Sequence, residues 1–176
     1  IKYTILIAIV KERKYMDVTS FGINHDKLLR GIYVSRKDTV GNGILTTFDV
    51  RMKEPNREMV MDTSIMHTIE HLMATFFRGH QEWCDKTIYV GPMGCRTGMY
   101  LIFKGDLEAQ DVVKIITESF EYMANFVGEI PAAKSYMCGN YLDHNLDITK
   151  IECCKFLEEV LYQIKKENLE YPVQGY

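Results

Sequence analysis

Gly31–Met52 reads GIYVSRKDTVGNGILTTFDVRM, two stretches rich in β-branched and aromatic residues on either side of Gly41-Asn42-Gly43. Residues that tolerate positive φ between two such runs predict a β-hairpin over Leu28–Lys53. A second pair of short strands follows the same logic. Lys86–Val90 and Thr97–Phe103 flank Gly91-Pro92-Met93-Gly94. Strands that arrive in adjacent pairs joined by short turns favour antiparallel pairing over a doubly wound parallel sheet. Between and after the pairs lie helical patterns. Asp62, Thr63 and Ser64 are candidate caps for a helix running to about Arg78. About Glu108–Val127 places Val112, Ile115, Ile116, Phe120, Met123 and Val127 on one stripe. The last helix, about Lys150–Asn168, opens with Thr149 and Glu152 in capping-box spacing and repeats Cys153, Phe156, Leu157, Val160, Leu161 and Ile164. Pro131–Asp147 is irregular. The fold class is α+β, an antiparallel sheet packed by helices.

The 176 residues, 47% of them hydrophobic, suffice for one domain with its own core. Residues 1–15 precede Met16, where MDVTSFGINHDKLLRG opens as a domain start would. They are read as an N-terminal extension, either an extra strand or an upstream addition, with 16–176 as a single domain. A net charge of -3 with scattered Lys and Arg gives no stripe for phosphate backbones, so no nucleic-acid partner is expected. The longest apolar run, Ile5–Val10, is far short of the roughly 20 residues of a membrane span. Five cysteines in no paired framework point to a reducing cytoplasm.

The chemistry begins at His67–Leu72, HTIEHL. At about 100° per residue His67, Glu70 and His71 share roughly 100° of helical arc, opposite Ile65, Ile69, Leu72 and Phe76. Histidines kept for packing would sit on the apolar stripe. Two imidazoles one turn apart can instead direct nitrogens at one ion about 2.0 to 2.1 Å away, with the carboxylate beside them for acid-base work. The order H-x-x-E-H also marks inverted zinc peptidases, so it implies a metal before it implies a reaction. The third ligand is a cysteine, another histidine or a distant acid. Cys138, beside Gly139 in PAAKSYMCGN, is the best placed. Cys153 and Cys154 read as core fillers. Cys95 follows the GPMG turn with Arg96 beside it, and local sequence alone leaves it either a small buried hydrophobe or a reactive thiol.

HTIEHL, GPMGCRTGMYL and PAAKSYMCGNYLDHNL together resemble the S-ribosylhomocysteine lyase family, bacterial enzymes that make the precursor of autoinducer-2. The likeness runs from about Ser20 to Leu161. It implies a LuxS/metallopeptidase-like fold, with His67, His71 and Cys138 as ligands of one divalent metal per chain. Fe2+ is the expected ion, replaceable by Zn2+ or Co2+. Glu70 and Cys95 are the implied proton carriers, and Ser20, His25, Arg51 and Arg78 the implied substrate contacts. The resemblance also implies a homodimer whose active sites lie at the interface, and a role in quorum sensing.

The reaction so implied moves the carbonyl of S-ribosylhomocysteine by two enolisations, then releases homocysteine by β-elimination to leave 4,5-dihydroxy-2,3-pentanedione. A cation stabilises charge on the sugar oxygens, and two histidines with one thiolate leave a position open. The competing readings are an HxxEH-type metallopeptidase, which has no use for Cys95, and a non-catalytic dimer pinned by its metal.

One position departs from the family pattern. Many members carry an acid where this strand, KTIYVGPMGC, has Tyr89. A phenol can accept a hydrogen bond but brings no charge. Tyr89→Asp is therefore expected to change the Michaelis constant for homocysteine release more than the turnover number, as a contact equal in ground and transition states does. Unchanged Michaelis constants in Tyr89→Asp and Tyr89→Phe would place Tyr89 outside the pocket.

Overall fold

The chain's architecture was obtained as a computed structural model describing residues 22–172. Ser20 and the expected N-terminal extension lie outside the described residues. The first hairpin forms as expected: β1 (Gly31–Val40) and β2 (Gly43–Arg51) pair antiparallel around a turn with Gly41 at φ 59°. That left-handed conformation carries no penalty for glycine. The second pair is β3 (Thr87–Pro92) and β4 (Gly98–Lys104). β4 pairs with β2, so the order is β1-β2-β4-β3, antiparallel throughout.

Strand pleating divides the residues of this sheet between two environments. Ile32, Phe48, Val50, Met99, Leu101 and Phe103 point to one face and join the helices in the core. Tyr33, Asp49, Arg51 and Tyr100 alternate with them and point to the other. Their charges are nevertheless buried, with Asp49 1% and Arg51 2% exposed.

Three helices cover the apolar face. In α1 (Thr63–Gly79), the Asp62 carboxylate caps the first turn by accepting from Ser64 N. Ile65, Met66, Ile69, Leu72, Met73 and Phe77 are buried, as the amphipathic pattern requires. Helix α2 (Ala109–Ala124) buries Val112, Ile115, Ile116, Phe120 and Met123. It ends before Val127, which was expected on the buried stripe but lies beyond the helix and is 87% exposed.

Helix α3 (Leu146–Glu159) departs most from expectation. Its cap is Asn145, whose Oδ1 accepts from Ile148 N at 3.1 Å, while Thr149 is buried in its first turns and donates to Ile65 O at 3.5 Å. Asn and Thr are both good caps in isolation. The choice is tertiary, because Asn145 N also donates to Thr68 Oγ1 on α1 at 3.0 Å. The helix stops at Val160, and two 3₁₀ turns, Leu161–Gln163 and Lys166–Asn168, replace its expected last turns. Cys153 fills the core as expected, but Cys154 is exposed.

The close approach of β2 and β4 depends on Gly98. A β-carbon there would strike the Val50 carbonyl, which is backbone and cannot yield. Gly98→Ala is expected to destabilise the fold by about 1–3 kcal/mol, lowering the melting temperature by roughly 2–4 °C per kcal/mol for a chain of this size. Thermal denaturation checks it, and an unchanged midpoint would show that the strands can part at no cost.

Candidate metal centre

The outer face of α1 carries His67, Glu70 and His71, all half-buried, as the helical arc predicts. Opposite them runs the irregular segment 131–145. Its carbonyls aim the histidines. His67 Nδ1 donates to Asp143 O at 2.9 Å and His71 Nδ1 to Pro131 O at 2.7 Å. A carbonyl can only accept, so each ring carries its proton on Nδ1 and turns the Nε2 lone pair inward. Cys138 Sγ lies 3.3 Å from His67 Nε2 and accepts from Asn140 N at 3.4 Å.

A third imidazole completes the group. His144 stacks on His67 with ring centroids 4.1 Å apart. Its Nδ1 lies 3.2 Å from Thr68 Oγ1, whose own proton goes to Ser64 O at 2.7 Å, so here the threonine accepts and the histidine donates. That leaves His144 Nε2 with its lone pair free. Among the described residues it is buried without a hydrogen-bond partner. Burial first, then the neighbouring His67 and His71, holds the His144 imidazole down at about 4, so it is neutral at pH 7. Donor atoms of His67, His71, Cys138 and His144 lie within 4.8 Å of one another. Imidazole nitrogens with fixed tautomers and a thiol are the donor set of a transition metal, and oxygen acceptors on the far ring nitrogens are the usual means of orienting such ligands. The orphaned Nε2 fits that use, since a buried acceptor without a partner is otherwise destabilising.

Sequence reasoning proposed three ligands and passed over His144. The signal was available in DHNL, six residues past Cys138, but nothing local distinguishes a ligand from the residue before a helix cap. Four protein donors would close a tetrahedral site, whereas three leave a position for substrate.

Cys95 belongs to a separate group. It is exposed, in the turn joining β3 to β4, where Met93 N donates to Gly98 O at 3.0 Å and Arg96 N to Met93 O at 2.9 Å. The strained residue of the turn is Arg96, at φ 58°, and Gly94 has nothing near it. Cys95 Sγ contacts Thr97 Oγ1 at 3.0 Å and Arg51 Nη1 at 3.7 Å. Arg51 is held by Asp49, Nε to Oδ1 at 3.0 Å and Nη2 to Oδ2 at 2.5 Å. Burial pushes the Asp49 carboxyl up, against the lowering pull of Arg51, Tyr171 and His25. His25, an expected substrate contact, therefore stands near this group, its own Nδ1 donating to Ile23 O at 2.9 Å. Arg78 is exposed and spans from α1 to β3, donating to Thr87 O at 2.7 Å and Ile88 O at 3.0 Å. Tyr89, 47% exposed on the same strand, folds its ring over Gly91. Among the described residues no hydrogen bond joins the Cys95 group to the histidine group.

Fold and site define a small α+β protein with one nitrogen-and-sulfur centre suited to a transition metal and a cationic thiol site apart from it. The S-Ribosylhomocysteinase (LuxS) family profile matches residues 18–167. The chain is 54% identical over 157 residues, 89% of its length, to 98% of the S-ribosylhomocysteine lyase of Phocaeicola vulgatus. It is 54% identical over 155 residues to that of Clostridium beijerinckii (88% of this chain, 98% of that protein) and 55% identical over 155 to that of Finegoldia magna (88% and 97%). The chain belongs to the S-ribosylhomocysteinase (LuxS) family.

His144→Ala is expected to keep one metal ion per chain with affinity weakened about 10–100-fold, the range for an orienting neighbour of a metal site. Competition with a chromophoric chelator measures it. Loss of the ion on desalting would make His144 a ligand in its own right, and unchanged affinity would remove it from the site.

Proposed function

We propose that this chain cleaves S-ribosylhomocysteine to homocysteine and 4,5-dihydroxy-2,3-pentanedione, the autoinducer-2 precursor. The observation that carries the reading is the convergence of inward Nε2 lone pairs and one sulfur beside Glu70, in a chain of this family. His67, His71 and Cys138 hold one divalent ion, with His144 facing the fourth position. Fe2+ is the ion, replaceable by Zn2+ or Co2+, and a mixed imidazole and thiolate set suits all three.

When bound, the ion supplies Lewis acidity that stabilises negative charge on the sugar oxygens. Cys95 takes the proton from carbon in each enolisation and returns it to the neighbouring carbon. Arg51 Nη1 places a positive charge 3.7 Å from the sulfur that takes this proton. Glu70 moves protons among the oxygens and assists the final elimination. Ser20, His25 and Arg78 contact substrate. Arg51 shares that role through its position at the sulfur, since most of its donors are already committed to Asp49 and Thr97.

The two groups lie on different sides of the fold, which supports a homodimer whose active sites combine Cys95 of one chain with the ion of the other. Exposed Tyr136, Met137, Tyr141 and Leu142, flanking Cys138, offer apolar surface for the second copy. Residues 16–176 form the catalytic domain. All five cysteines are free, which agrees with a reducing cytoplasm, and among the described residues no helix is long and apolar enough to cross a membrane. The peptidase reading is not favoured, because the third donor is a cysteine and Cys95 would have no task.

His67→Ala, His71→Ala and Cys138→Ala are each expected to lose the metal, by elemental analysis. Glu70→Gln and Cys95→Ala are expected to keep it while homocysteine release falls about 10²–10⁴-fold, the usual worth of a positioned acid-base group. Full metal occupancy in Cys138→Ala would overturn the ligand set. Release at the parent rate in either of the other variants would overturn that residue's role.

A further inference from the structure

Arg51 does not exhaust the acceptor capacity of Asp49, a carboxylate almost wholly withdrawn from solvent. Its two oxygens receive the Nε and Nη2 edge of Arg51 in a forked pair, which turns Nη1 toward Thr97 Oγ1 at 2.5 Å and Cys95 Sγ at 3.7 Å. The guanidinium is rigid and planar, so its placement at the sulfur is decided by the plane of the carboxylate. That plane is soft by itself, because rotation about the last bond of an aspartate has broad minima.

A third bond fixes it, and it comes from the end of the chain. Tyr171 Oη donates to Asp49 Oδ2 at 3.0 Å. The tyrosine is itself held: its ring stacks on Tyr33 with centroids 4.7 Å apart and planes 10° from parallel. Tyr33 is the residue directly opposite Asp49 in the β1–β2 register, and its hydroxyl donates to Leu29 O at 3.0 Å. Just upstream, Asn168 Nδ2 donates to Arg30 O at 2.9 Å, tying the tail to the start of β1. The family match ends at residue 167, four residues before this contact.

We propose that Tyr171 is a positioning residue for Cys95: through Asp49 it fixes the Arg51 guanidinium against the sulfur and so maintains the thiolate. This rests on the reading of Cys95 as a thiolate base. Burial, then the Asp49 charge and its hydrogen bond, pushes the Tyr171 hydroxyl far up, so it remains a donor at every pH at which the enzyme works. The Asp49 carboxyl, raised by burial, depends on Arg51 first and on Tyr171 among its hydrogen bonds to stay ionised. Losing the phenol donor leaves the carboxylate plane, and with it the Arg51 guanidinium, free to turn. The other titratable groups that act on this cluster are Tyr33 on β1, Tyr100 on β4 and, through Asp49, His25, with Glu54 and Glu167 acting on Tyr33. Arg96 follows Cys95 in the turn, and none of these replaces the Tyr171 bond.

Tyr171→Phe keeps the ring on Tyr33 and removes only the hydroxyl. In the metal-loaded protein, the rate of Cys95 alkylation by iodoacetamide is followed on its own peptide by mass spectrometry at pH 7 and pH 9.5. The expected result is a rate about fivefold lower at pH 7, of the order one hydrogen bond is worth, and equal to the parent at pH 9.5, where thiols ionise without help. The turnover number for homocysteine release falls with the pH 7 rate while the Michaelis constant holds. A merely structural role for the tail would change access to Cys95 alike at both pH values, leaving the ratio of the two rates unchanged, and that result overturns the proposal. Parent Cys95 reacting no faster at pH 7 than Cys154, an exposed thiol on α3, would overturn the thiolate reading beneath it. The two failures are therefore distinct.

Discussion

The hydroxyl of Thr68 is the smallest group on which the site depends. Buried on α1, it gives its proton to Ser64 O within the helix and has lone pairs for two others, Asn145 N at 3.0 Å and His144 Nδ1 at 3.2 Å. One bond fixes where α3 begins. The other fixes the tautomer of His144, and with it the direction of the Nε2 lone pair. Valine in its place would preserve shape and leave two donors without acceptors in a dry setting, where an unmade bond is worth more than a made one. The start of α3 and the direction of the His144 lone pair are thus settled by the same atom.

A second constraint is the pleat of β2. Because successive side chains point to opposite faces, Phe48 and Val50 enter the helix-covered core while Asp49 and Arg51 go to the other side. A register slip of one residue would put an ion pair into the core and two apolar side chains outside. The pair tolerates its burial because both partners are present and every charged edge has a contact, as buried pairs require. The sheet carries Cys95's surroundings on one face and supports, through α1, the histidine group beyond the other.

Much of this was legible in the residues. Gly41-Asn42-Gly43 gave the hairpin, since few residues enter that turn without strain, and the 3.6-residue period of α1 separated His67, Glu70 and His71 from the buried stripe. What escaped were choices made between segments. Asn145 and Thr149 are equally good caps on paper, and only the contact with Thr68 decides between them. In the Cys95 turn the positive φ falls on Arg96 and not on a glycine, and the Arg96 carbonyl accepts from Met61 N at 3.0 Å just ahead of α1. Arg51 is named as a substrate contact only because the family resemblance implies it. Its partner Asp49, two residues away on the same face, was in plain view but needed the pleat and the burial to be recognised as its anchor. His144 was hidden for the same reason, as its stack on His67 spans 77 residues of sequence.

These two kinds of long-range contact differ in what they contribute. The histidine group joins a regular helix to a segment without regular structure, so neither half alone presents a complete set of donors. Binding an ion to such a site is coupled to ordering the segment, and part of the binding free energy appears as stability of residues 131–145. The Cys95 group sits instead on a sheet that is formed regardless, between two strands whose register is already fixed on both sides. Its geometry is set by side-chain bonds among Asp49, Arg51, Thr97 and Tyr171, which a single hydroxyl can loosen without disturbing the backbone. The histidine group would therefore draw its precision from an ion bound there, and the Cys95 group draws its own from a hydrogen-bonded chain that reaches Tyr171.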